Sequence, residues 1–149
     1  MRSTGDALGR GMPGQPLTAQ SLRELMPFAE TVGVRFDRIT AGEVTARLSW
    51  APQRCTAGGV LHGGALVTLA DAVAGVCAHL NLPPGAVTST IELKINFLAA
   101  VREGEVLARA TALHVGRSNI VVQTDLTAVR ERGEPQRVGL VVQTQAVLG

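Results

Sequence analysis

His62-Gly63-Gly64-Ala65-Leu66-Val67-Thr68-Leu69-Ala70-Asp71-Ala72-Val73-Ala74-Gly75-Val76-Cys77-Ala78-His79-Leu80 is the stretch on which the fold turns. Leu66, Leu69, Ala70, Val73, Cys77 and Leu80 recur at the 3.6-residue spacing of a helix with one apolar stripe. Asn81-Leu82-Pro83-Pro84-Gly85 stops that helix, because proline can neither donate a backbone N–H nor fit inside the next turn. Asp71 falls opposite the stripe, beside Gly64, Thr68, Gly75 and Ala78. A face of such small residues has room for a thin ligand arm or for the backbone of another subunit. The plain alternative is a solvated surface carboxylate.

Working outward, residues 88–98, 105–115, 119–130 and 137–148 read as strands, with Ile91, Leu93, Ile95 and Phe97 alternating in the first of them. Glu103-Gly104, Gly116-Arg117 and Arg132-Gly133 supply turns between them. Ahead of the helix, residues 33–40 and 43–50 read as a hairpin around Ala41-Gly42, followed by a loop of small residues over 51–61. A short helix is expected over 18–28, capped by Thr18 or Ser21 and ending near Pro27. Residues 1–17, rich in Gly and Pro, are expected to form a disordered or loosely attached tail, which leaves one domain over 18–149. Short connections force antiparallel pairing. The one long apolar helix is the only cover for the sheet's apolar face. The expected fold class is therefore α+β, a curved antiparallel sheet wrapped around a central helix.

Composition narrows the function by exclusion. A net charge of +2, with no zinc spacing and no aromatic-basic RNA-binding stretch, does not announce a nucleic-acid binder. Cys55 and Cys77 are too few for a disulfide framework. No apolar h-region opens the chain and no apolar run spans a bilayer, so a cytoplasmic protein that does not enter a membrane is expected. Gly58-Gly59 and Gly63-Gly64 lack the Gly-Lys-Ser/Thr of a phosphate loop, and no G-x-S-x-G turn occurs.

The segment Gly59 to Asp71, with its His-Gly-Gly and an Asp seven residues beyond the second Gly, resembles the motif of hotdog-fold thioesterases of the phenylacetate-degradation type. The likeness continues through Thr90-Ile91-Glu92-Leu93-Lys94-Ile95-Asn96-Phe97-Leu98 and Val115-Gly116-Arg117, and covers about residues 30–148. It implies a hotdog fold and hydrolysis of an acyl-CoA thioester. Asp71 would be nucleophile or general base, and the Gly63 N–H would polarise the thioester carbonyl. Thr90 would position water, with Ser89 as its rival. Thr56 stands where the family frequently has Asn or Gln, and Ala99-Ala100 where it usually has Arg-Pro. Gly64, Thr56, Ser89, Gly116 and Arg117 are the further candidates for substrate contact, Arg117 toward a CoA phosphate.

The chemistry agrees with the residue types. A helix N-terminus offers unpaired N–H groups and a partial positive charge to an oxyanion. His62, just ahead of it, either shapes the turn or assists the leaving thiolate. No metal or redox cofactor is implied; coenzyme A belongs to the substrate. Gly63 and Asp71 lie eight residues apart, hence about 12 Å along one helix. Both are needed about 3 Å from the reacting atoms. Composite sites in a homodimer follow, two per dimer, and tetramers built from two such dimers are common among related enzymes. The competing readings are a hotdog dehydratase or hydratase, for which the His-Phe-Pro-Gly stretch is missing, and a non-catalytic acyl-CoA binding module.

Overall fold

A computed structural model describes residues 16–149. The expected tail lies outside the described residues except for Pro16 and Leu17, and Leu17 packs against the core. In place of one helix over 18–28 there are two, α1 (Ala19–Leu25) and α2 (Pro27–Val32). Thr18 caps α1 through a capping box with Ser21. Pro27 starts the second helix rather than ending the first. It sits at the first helical position, where a missing N–H costs nothing, and it holds Met26 out of the helical region.

The hairpin is β1 (Arg35–Ile39) and β2 (Val44–Ser49). The loop after it carries two single 3-10 turns and leads into α3 (Gly63–His79). Four strands complete the chain: β3 (Val87–Phe97), β4 (Glu105–Val115), β5 (Asn119–Val129) and β6 (Gln136–Leu148). All pair antiparallel in the order β1-β2-β4-β5-β6-β3. The helix α3 contacts every one of them. Six strands span about 24 Å, more than twice the width of a helix, so the sheet must curl to meet one helix throughout. This is the hotdog arrangement.

The predicted stripe of α3 is buried, Leu80 partly so. Ala72, Ala74, Val76 and Ala78 are buried as well, so the small-residue face around Asp71 is narrower than the helical wheel implies; Ala78 belongs to the core. Opposite α3, β5 and β6 turn Ile120, Val122, Leu126, Val138 and Val141 inward.

One irregularity in β3 matters for the site. Thr90 pairs with Gln145 and Glu92 with Thr144, so Ile91 is an extra residue, a bulge. Period-two alternation places Ile91 inward with Leu93 and turns Thr90 outward. The bulge reverses this: Ile91 is exposed, and Thr90 shares the inner face with its partner Gln145.

Candidate active site

The site begins with the first turn of α3. His62 is the N-cap, in extended conformation, and its Nδ1 accepts the Gly64 N–H at 2.8 Å. An Nδ1 that accepts leaves Nε2 as the protonated nitrogen of a neutral ring. The His62 N–H donates to the Arg54 carbonyl, and the Ala65 and Leu66 N–H groups both donate to the His62 carbonyl. Of this turn, only the Gly63 N–H finds no acceptor among the described residues. Gly64, by contrast, has its N–H engaged.

Gly63 is glycine for a steric reason too. A Cβ there would lie 3.0 Å from Cζ of Phe97, whose ring rests against the start of the helix. Gly63 and Phe97 border a pocket of about 430 Å³, walled also by Thr56, Leu61, Leu66 and Val101. Its lining carries no charge and one side-chain hydroxyl, that of Thr56. His62, Gly64 and Thr68 border a second depression of about 500 Å³, shared with Phe28, Arg54 and Cys55. Arg54 is committed elsewhere, donating to the carbonyls of Val32 and Ser49.

Asp71 borders neither pocket. It is exposed, and its Oδ1 accepts from the Thr90 hydroxyl at 3.1 Å and from Nε2 of Gln143 at 3.0 Å. Its Oδ2 has no donor among the described residues. Behind Thr90, Nε2 of Gln145 donates to the Thr90 hydroxyl oxygen at 2.8 Å, and the Thr88 hydroxyl reaches Oε1 of Gln145 at 3.2 Å. Ser89 points the other way: its strand neighbour is Ala146, and its side chain bonds to none of these groups. Gly116 closes the β4–β5 turn, its N–H on the Asn119 carbonyl. Arg117 in that turn is exposed and forms no ion pair with a described residue. The turn abuts the end of β6, where the Val147 N–H reaches the Ser118 carbonyl.

The structure thus joins Asp71 to Thr90 and holds Gly63 apart from them, two turns of helix away. His62 and Gly64 face one depression, Thr56 and Gly63 the other. Sequence reasoning missed Gln143, Gln145 and Thr88. The only signal was parity: on β6 the two glutamines fall on the same inward face as Val141.

Residues 58–134 match the thioesterase superfamily. A 1,4-dihydroxy-2-naphthoyl-CoA hydrolase of Listeria monocytogenes is 30% identical over 107 residues, covering 72% of this chain and 87% of that protein. Among solved structures, a thioesterase from Haemophilus influenzae superposes with a TM-score of 0.80 at 25% identity, over 91% of this chain and 93% of the other. A mutant thioesterase from Pseudomonas aeruginosa does so with a TM-score of 0.79 at 26% identity, over 95% and 98%.

Proposed function

The chain belongs to the thioesterase superfamily, and on that premise we propose that it hydrolyses an acyl-CoA thioester to the free acid and CoA in sites shared by two subunits. One observation carries the reading: among the described residues α3 offers, in its first turn, one N–H without an acceptor, at Gly63, and eight residues on a carboxylate bound through one oxygen. The Gly63 N–H, at the positive end of the helix, receives the charge that develops on the thioester oxygen. Asp71 supplies the other half. As general base it takes a proton from water while the water oxygen attacks the carbonyl carbon. As nucleophile it forms an acyl anhydride that water then opens. Either way the C–S bond breaks and CoA leaves as thiolate. His62, with Nε2 as its proton-bearing nitrogen, stands at the same helix start, and Arg117, exposed in the β4–β5 turn, is a cation available to a CoA phosphate.

About 12 Å of helical rise separates Gly63 from Asp71, so one subunit cannot bring both to one carbonyl. Two α3 helices running antiparallel across a two-fold axis bring Gly63 of one to Asp71 of the other. The sheet offers the means of assembly. β3 ends the sheet with eleven residues and one unpaired edge, whereas β1 at the opposite end has five. Apolar side chains stay exposed along β3 and just beyond: Ile91 at 63%, Phe97 at 53% and Leu98 at 55%. A homodimer joined along β3 covers them, and pairing of two such dimers gives a tetramer. No helix among the described residues is long and apolar enough to cross a membrane.

The test is release of free thiol from a panel of aromatic and medium-chain acyl-CoAs, followed with a thiol-reactive dye. The expected result is stoichiometric thiol, lost by on the order of 10³-fold or more in kcat in a folded Asp71→Asn variant. A dehydratase leaves the thioester intact, and a binding module gives tight complexes without turnover. Near-parental hydrolysis by Asp71→Asn removes the assigned role.

A further inference from the structure

Two glutamines occupy positions where a strand packed beneath a helix is expected to bury hydrocarbon. Gln143 and Gln145 are 0% and 1% exposed, on the inner face of β6 beside Val141. A buried amide is unfavourable unless hydrogen-bonded. Both amides are bonded, and both lead to Asp71.

The direction of each bond follows from the chemistry of the groups. A carboxylate can only accept, so the Gln143 NH2 must face Asp71 and its carbonyl must point away. Thr90 has one hydroxyl proton, which goes to Oδ1 of Asp71; its oxygen must therefore accept from the Gln145 NH2. Thr88 follows behind, its hydroxyl within 3.2 Å of the Gln145 carbonyl oxygen and 2.8 Å of the Ala146 carbonyl. Two lines of donors thus converge on one carboxylate oxygen.

We infer that Gln143, and Gln145 acting through Thr90, are positioning residues: they pin Oδ1 of Asp71 and so leave Oδ2 as the atom that meets water or the thioester carbon. The inference rests on the reading of Asp71 given above. It moves Thr90 from holding water to orienting the carboxylate, since its single proton is already committed. A purely stabilising role fits Gln143 poorly. Among the described residues Oε1 of Gln143 is buried without a partner, as is the Thr124 hydroxyl on β5, so an apolar side chain at 143 would leave fewer unsatisfied groups. The Gln143 amide costs stability on one side and serves Asp71 on the other.

The test is steady-state hydrolysis and thermal unfolding of Gln143→Met, Asp71→Asn and the double variant. Methionine keeps the length of the side chain and removes the donor. Gln143→Met should lower kcat by roughly 10- to 100-fold, the scale of a misplaced reacting group. Its KM should stay within about twofold of the parent, because the amide touches no substrate. Its unfolding midpoint should be no lower than the parent's. Added to Asp71→Asn, the substitution should cost nothing further. Parental kcat in Gln143→Met beside an inactive Asp71→Asn overturns this inference alone. So does a loss that adds fully to that of Asp71→Asn, or failure to fold with either Met or Leu at 143, since each makes the glutamine structural. An active Asp71→Asn overturns the inference together with the reading beneath it.

Discussion

Gly63 answers two demands that no other residue meets together. Its N–H has no acceptor among the described residues, as the proposed oxyanion role requires, and a Cβ there would meet the Phe97 ring. The two can be separated by substitution. Proline suits the first position of a helix, and His62 is already in the extended conformation that a residue before proline prefers. Gly63→Pro should therefore fold while losing the donor, and kcat should fall by about 10²–10³-fold. Gly63→Ala brings the same clash with a half-exposed ring but keeps the N–H, and should lose far less. Equal losses in the two variants would trace the effect to Phe97 instead. At this scale the sequence offered Gly63 and Asp71 as candidates because both belong to one contiguous motif, and the structure puts the first at the helix start and the second in hydrogen-bond reach of Thr90. The Gln143–Asp71 hydrogen bond was not legible, because it joins residues more than seventy positions apart in the chain, and one glutamine among valines carries no motif.

At the scale of elements, α3 is buried over far more of its circumference than its leucine and valine stripe foretold. The alanines Ala72, Ala74 and Ala78 are small enough to sit under a sheet that curls around the helix. Cys77 lies in that core, and burial pushes its thiol pKa up, only partly offset by a hydrogen bond with the backbone of Ala112. Above about pH 8.5 the unfolded chain loses a proton that the folded chain retains, so stability is full below that pH and falls as pH rises. With no tyrosine and a single lysine in the chain, few other groups titrate there. Urea midpoints of the parent should decline from that pH upward, and those of Cys77→Ala should decline less. Strand positions were readable from alternation, and β4 begins and ends where expected. The β3 bulge was not, because a bulge exists only relative to the partner strand. Its consequence is large: it turns Thr90 from the outer face to Asp71. The break between α1 and α2 was misread for a similar reason, since Pro27 ends one helix or starts the next with equal ease.

For the whole molecule, the charged groups gather on the outer face of the sheet. Arg47 bridges Asp37 and Glu105 there, and Glu43 meets both Arg38 and Arg109. Exposed ion pairs of this kind add little stability, about 0–1 kcal/mol each. They keep that part of the face wet, whereas Ile91, Phe97 and Leu98 at the β3 edge are exposed and, in the proposed dimer, would be covered by another copy. About 12 Å of helix separates Gly63 from Asp71 within one chain, and the most direct measurement of the proposed shared site exploits this. Asp71→Asn and Gly63→Pro chains, each inactive alone, are unfolded and refolded together, and heterodimers are isolated by tags. In a shared site, each heterodimer carries one doubly damaged centre and one intact centre. A random mixture should then regain about a quarter of parental activity, and the isolated heterodimer about half. Heterodimers that form and remain as inactive as either parent chain would mean that each chain needs its own Gly63 and its own Asp71, and would contradict the account.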